Sequence, residues 1–293
     1  MSLWLDLFGA EIRFVETKNF GSIRVAEAGK SNDQTIIFQH GLNGHLEAYA
    51  KNIMPLSADF HVVAFDYVGH GLSSKPVRDY SPIMLAEQLG ELMDALAIDK
   101  AHLSGESLGG WVSGHFAAMY PDRVGRLMLN TAGGIPIVTE KGQQDLQTFI
   151  GLNKRNIDNT PTYESVQARM HWLMHPNNRH LVDDELVDLR LGIYLRPDSR
   201  AVLSKLNEII ENHDDYLIPL EKLPGGTLFL WTNDNPIHDT PSVTAAQAKV
   251  PGSLLYFMRG DAAHWPQYEA IDEFNAVATA FFNTGEIQDR QVQ

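Results

Sequence analysis

The chain has 293 residues, 44% of them hydrophobic and 20% charged, a balance that can fill a large core and excludes disorder as the main state. Its net charge of −14 argues against nucleic acid or an anionic membrane as partner. The lack of cysteine removes disulfides, thiolate chemistry and cysteine metal sites.

Met1–Phe8 is apolar, but Asp6 interrupts it and no basic segment precedes it, so it does not read as a signal peptide. No run approaches the roughly 18 to 20 apolar residues that span a bilayer. A cytoplasmic enzyme is the expectation. Length divided by about 150 would suggest two domains, and one domain carrying an insertion fits equally well.

Short β-rich runs open the chain's regular pattern. Thr35–Phe38 ends at His40-Gly41, and His61–Phe65 closes on Asp66. Between Ser81 and Ile98, Leu85, Leu89, Leu92, Met93 and Leu96 recur at helical spacing. Ala101–Gly105 reads as a strand, Trp111–Met119 as a helix and Val124–Leu129 as a strand. Alternation of buried strands with helices predicts an α/β fold, a mostly parallel sheet covered on both faces.

After Gly133-Gly134 the texture turns helical and strand-poor. Thr160-Pro161 is a helix start with proline at the first position. Val166, Met170, Leu173 and Met174 then form an apolar stripe. Asp183-Asp184-Glu185 opens a further helix with acidic groups at its positive end. Strands return at Thr227–Trp231 and Ser253–Met258, followed by a helix over Ile271–Phe282. Residues 135–224 therefore read as a helical cap inserted in a core made of 1–134 and 225–293. The polar stretch from Asn283 is expected to fray.

Gly105-Glu106-Ser107-Leu108-Gly109 matches G-x-S-x-G between a strand and a helix, the context that gives this pattern a mechanism. Small residues let strand and helix approach, and Ser107 is presented as a nucleophile at a helix N-terminus that favours a developing anion. Backbone N–H groups of Leu42, in the turn His40–Gly44, and of Leu108 could form an oxyanion hole. Gly41 and Asn43 of that turn are candidate substrate contacts. Asp66–Ser73, with its glycines, is assigned a structural turn. Among twelve histidines, His264 in Gly260–Pro266 lies in a loop able to return to Ser107 as general base. His171, His175 and His180 lack a ligand pattern and read as surface residues.

These motifs, in this order, resemble the α/β-hydrolase superfamily along the whole chain. More narrowly, Gly44–Tyr49, Gly105–Trp111, Leu129–Gly134 and His264–Gln267 are similar to the meta-cleavage-product hydrolases, which split carbon–carbon bonds in ring-fission products of aromatic catabolism. That resemblance implies substrate contacts from a cap arginine and from the tryptophan after the histidine, here Arg190 and Trp265. Arg190 has a signal of its own: it lies on the helical face of Leu186 and Ile193, a charge in an apolar stripe. A snorkelling arginine would give the same pattern.

Two positions depart from the family. Its acid commonly precedes a proline just after the strand before the histidine loop, and here Asn235 holds that place with Asp234 one residue earlier. Either the turn is re-registered so that Asp234 reaches His264, or the acid is missing; Asp234 is the residue expected to hold the imidazole. Asparagine there would favour the wrong tautomer, as in the serine-protease case. Glu106 stands where ring-fission hydrolases often have asparagine.

The expected activity is hydrolysis of the carbon–carbon bond of a 2-hydroxy-6-oxo-dienoate. The alternatives are a carboxylesterase or lactonase with the same machinery, and a ligand-binding protein whose triad has decayed. The serine disfavours dehalogenase and epoxide hydrolase chemistry, whose family nucleophile is an aspartate. No cofactor or metal is implied; the partner is a small molecule, with a homodimer one option for assembly.

Overall fold

The computed structural model describes residues 2–287. An antiparallel hairpin of β1 (Glu11–Thr17) and β2 (Gly21–Ala28) enters the sheet, which the pattern of Glu11–Thr17, largely exposed, did not announce. There follow β3 (Thr35–Gln39), β4 (His61–Phe65), β5 (Ala101–Glu106), β6 (Val124–Asn130), β7 (Leu228–Trp231) and β8 (Leu254–Phe257). The eight strands lie in the order β1-β2-β4-β3-β5-β6-β7-β8, with β3 to β8 parallel and β2 antiparallel to β4.

Strands β3 to β7 are buried almost throughout, so their sequences are apolar runs rather than alternations. The covering helices are α1 (Leu3–Asp6), α2 (Ala50–Leu56), α3 (Pro82–Ala95) and α4 (Leu108–Met119). The stripe read in the sequence is the buried face of α3, with Leu85, Leu89, Leu92 and Met93 fully enclosed, and Ser81 caps that helix by accepting from the Met84 N–H.

Between β6 and β7 the described residues are helical: α5 (Glu140–Asp158), α6 (Tyr163–Leu173), α7 (Asp184–Leu195), α8 (Pro197–Arg200) and α9 (Leu203–Glu211). Helix α6 begins later than the Thr160-Pro161 signal. Thr162 is its cap, in a reciprocal capping box with Ser165 that satisfies two end groups at once. Asp183 caps α7 by accepting from Leu186.

The chain closes with α10 (Thr240–Gln247), α11 (Pro266–Glu269) and α12 (Ile271–Thr284). Asn283 and Thr284 do not fray; α12 runs through them and stops at Gly285 in the left-handed conformation (φ 80°), and Ile287 packs back onto the core. The remainder of the expected tail lies outside the described residues. Among the described residues no helix is long and apolar enough to cross a membrane.

Strand order reverses around β3, whose neighbours β4 and β5 lead in opposite directions. The carboxyl ends of β3 and β5 at that reversal are where an open α/β sheet leaves a crevice for ligand.

Candidate active site

Ser107 sits in the turn from β5 to α4 with φ 56° and ψ −116°, a conformation strained for a non-glycine residue. Small neighbours make the turn possible: a Cβ on Gly105 would overlap the Gly109 carbonyl, and one on Gly109 would overlap the Gln39 backbone. Turn hydrogen bonds hold it, from Gly133 N–H to Ser107 O at 2.9 Å and from Ser107 N–H to Asn130 O at 3.2 Å. Leu108 is the first residue of α4, so its N–H has no acceptor within the helix.

The His40–Gly44 turn faces Ser107 from the end of β3. His40 is buried, and burial lowers its pKa to about 3, so the ring is neutral. It donates from Nδ1 to Gly41 O and accepts the Tyr67 N–H at Nε2, a buttress rather than a base. Two cap arginines grip the turn by its carbonyls: Arg169 Nη2 donates to Leu42 O (3.1 Å) and Arg190 Nη1 to Asn43 O (2.8 Å). Both guanidinium groups are buried, and neither has an ion-pair partner within 4.0 Å among the described residues. Arg169 Nη1 and Arg190 Nε are buried with no hydrogen-bond acceptor among the described residues. Arg190 also lies 5.2 Å over the Trp265 ring, so it is packed inward and does not snorkel to solvent.

The structure corrects the expected acid. Asn235 Oδ1 meets His264 Nδ1 at 2.7 Å, whereas the Asp234 side chain is 64% exposed and points to His175, 3.7 Å away. The turn after β7 is locked by Trp231 Nε1 and Asn235 Nδ2, which both donate to His238 O (2.7 and 2.8 Å). With its amide N–H used there, Asn235 can present only its carbonyl oxygen to the imidazole. His264 therefore carries its proton on Nδ1 and leaves Nε2 free, the tautomer a general base needs, so the wrong-tautomer expectation for asparagine does not hold here. Burial in the same place costs a neutral amide far less than it would cost a carboxylate.

His264 is held from both layers: its N–H donates to Leu173 O of α6, and its carbonyl accepts from Thr131 Oγ1. Burial, with a further push from Arg169, lowers its pKa to about 3. On the other side of the ring stands Glu106, its Oε1 3.4 Å from Nε2 and its Oε2 accepting the Gly41 N–H at 2.8 Å.

Two cavities meet at Ser107 and His264. A polar one is lined by Gly41, Gly44, Glu106, Arg169, Arg190 and Trp265. An apolar one is lined by Leu108, Trp111, Leu146, Phe149, Ile210 and Ile237. Of the apolar stripe that follows Pro161, Leu173 lines the polar cavity, while Met170 and Met174 are buried in the cap without lining either. Asn43 lies off these two cavities, against the one formed with Tyr194 and Leu206.

Arg169 was missed although the sequence carried its signal: with Val166, Met170 and Leu173 it forms one helical face, a cation in an apolar stripe like Arg190. His175 and His180 use ring nitrogens on backbone groups of their own turn. Among the described residues no group of three or more His, Asp or Glu is placed to hold a metal ion.

The family described as alpha/beta hydrolase fold matches residues 34–271. Among curated proteins, the chain is 27% identical to the 2-hydroxy-6-oxononadienedioate/2-hydroxy-6-oxononatrienedioate hydrolase of Escherichia coli strain K12, over 88% of this chain and 94% of that one. Among solved structures, the meta-cleavage product hydrolase of Pseudomonas fluorescens IP01 superposes with a TM-score of 0.77 at 23% identity, covering 94% of this chain and 98% of that one. A membrane phospholipase A described as a bacterial virulence factor superposes with a TM-score of 0.78 at 24% identity, covering 95% and 87%.

Proposed function

The chain belongs to the α/β hydrolase fold family, and within it we propose a serine hydrolase that cleaves the carbon–carbon bond of a 2-hydroxy-6-oxo-dienoate from aromatic ring fission. The observation that carries this reading is the pair of cavities on either side of Ser107, one with two buried guanidinium groups and the other apolar. A dienoate has that same division: a carboxylate with an enol at one end and an apolar acyl group at the other. Its carboxylate must not be buried unpaired, and Arg169 Nη1 with Arg190 Nε offers donors that meet no acceptor among the described residues.

In this mechanism the carboxylate and enol lie toward the arginines and the distal carbonyl reaches Ser107. His264 Nε2 assists ketonisation of the dienol, then takes the Ser107 proton as Oγ attacks that carbonyl. The N–H groups of Leu42 and Leu108 receive the negative oxygen. The carbon–carbon bond breaks with its electron pair leaving on the dienol fragment, which is protonated to a 2-hydroxydienoate. Water, activated by the same histidine, releases the acyl group as a carboxylic acid.

A second reading, carboxylesterase or lactonase, draws on Glu106. Its carboxylate sits in the polar cavity and offsets one of the two cations, leaving less attraction for an anionic substrate. A decayed, ligand-binding protein is disfavoured by the locked Asn235–His264 geometry.

The purified protein is to be offered a ring-fission dienoate, a short p-nitrophenyl ester and a lactone. Loss of the dienoate's visible absorbance at the highest kcat/KM is the expected result. Fast ester turnover with an inert dienoate would replace this reading by the esterase one, and inertness toward all three by the ligand-binding one.

A further inference from the structure

A serine–histidine pair ordinarily works against a carboxylate on Nδ1, which stabilises the imidazolium that forms when the histidine takes the serine proton. Here Nδ1 faces the neutral Asn235. Asparagine fixes the tautomer but supplies no charge, and burial together with the nearby cation Arg169 makes an imidazolium harder to form. Among the described residues the one carboxylate lining the cavity is Glu106, on the opposite edge of the ring.

We infer that Glu106 is the acid of this site, a positioning residue that acts through His264 and shares, from the Nε2 side, the proton His264 takes from Ser107. The inference rests on the proposed roles of Ser107 and His264 and is independent of the substrate.

The geometry places Glu106 for this. It ends β5 immediately before Ser107, its side chain is buried, and it is held by the Gly41 N–H while Oε1 remains 3.4 Å from Nε2. A Cβ on Gly41 would collide with both carboxyl oxygens, so the turn after β3 is shaped around this side chain. The charged and titratable groups around it are His264 from the loop after β8, Arg169 of α6, Arg190 of α7, and the tyrosines Tyr49 and Tyr67. Burial raises the Glu106 pKa to about 7, with the Gly41 N–H and the two arginines opposing it. Burial and Arg169 hold His264 near 3, which makes it a weak base at neutral pH. Joined to Glu106 it becomes part of a pair that can keep the proton.

Every bond in the step is accounted for. The Ser107 O–H bond breaks as Oγ bonds to the carbonyl carbon, and the carbonyl π pair moves to its oxygen. The proton arrives on Nε2, where the Glu106 carboxylate accepts its hydrogen bond, and it returns to the departing group when that leaves with its electron pair. No other reactant is needed.

The test measures the rate at which a fluorophosphonate labels Ser107 across pH 4–9 in wild type, Glu106→Gln, Asn235→Asp and the double variant. Glutamine keeps an acceptor for the Gly41 N–H, so a merely structural role survives it. The expected results are a loss on the order of 10²-fold at pH 8 in Glu106→Gln, and an acid limb moved below its wild-type position near neutrality. Asn235→Asp should recover most of that loss in the double variant, and alone should move the limb upward. Glu106→Gln labelled at the wild-type rate, or a defect the double variant does not repair, overturns the inference. Should Glu106→Gln not fold, an acid limb unmoved in Asn235→Asp overturns it instead, because the two positions would not then act on one proton. Wild-type label on a residue other than Ser107 overturns the serine reading and this inference together.

Discussion

Two buried clusters of charge in this molecule are built on opposite plans. Beneath the β3 turn, Arg24 pairs with Glu47 at 2.6 Å and Asp66 at 2.7 Å, and Asp66 also accepts the N–H groups of Leu46 and Leu72. Burial works against the Arg24 charge, yet the two carboxylates more than offset it and its pKa is raised. In the candidate active-site cluster Arg169 is more deeply buried and its pKa is lowered, with burial dominant and Arg190 adding to it. One cluster meets its cation with two carboxylates; in the other, Arg169 and Arg190 have no ion-pair partner within 4.0 Å among the described residues. A charge placed for structure is matched where it stands, whereas one placed for a ligand is left open, at a cost to stability.

Breaking the closed cluster should give the largest effect on folding. Asp66→Ala takes away one of the two carboxylates that hold Arg24 and leaves two backbone N–H groups unmet, and about 3–5 kcal/mol of stability should be lost, read from urea unfolding. Retention of the wild-type midpoint would mean that Arg24 finds water, and the contrast between the clusters would fail.

Removing the carboxylate from the open cluster should act in the opposite direction, and with pH. The folded pKa of Glu106 lies above its unfolded value, so the folded state binds the extra proton and stability falls as pH rises between about 4.5 and 7. Glu106→Gln removes that penalty. Its melting temperature should exceed wild type at pH 8 by a few degrees and match it at pH 4, in differential scanning calorimetry. A variant less stable than wild type at pH 8 would place Glu106 among the structural charges.

The smallest effect belongs to Asp234. Exposed and 3.7 Å from His175, it contributes a surface pair of the kind worth under about 1 kcal/mol. Asp234→Asn should leave kcat/KM on the best substrate within about twofold, and a loss of orders of magnitude would return it to the role first expected of it.

The sequence showed the sheet's parallel half and the turn carrying Ser107 because these rest on local rules: apolar runs between helical stripes, and glycines where strand and helix nearly touch. It hid the β1–β2 hairpin, since an edge strand exposed on most of its residues lacks the buried face that makes a strand visible. The choice between Asp234 and Asn235 was hidden for a different reason. A shift of one residue in a turn depends on which donors anchor it, and the anchors of this turn, Trp231 Nε1 and Asn235 Nδ2 on His238 O, are contacts of the folded chain. Glu106 was legible as a departure from the family, but its approach to Nε2 needed the packing of β5 against the His264 loop.

The claim that the open cluster binds an anionic substrate end is tested most directly by one comparison. Loss of the dienoate's visible absorbance is followed for wild type and Arg190→Ala, with hydrolysis of a neutral ester measured on the same preparations. The prediction is that kcat/KM for the dienoate falls at least about tenfold further than kcat/KM for the ester, the loss of roughly 1.4 kcal/mol of charge-assisted binding. Equal losses on both substrates, or a wild type that ignores the dienoate while it turns over the ester, would contradict it.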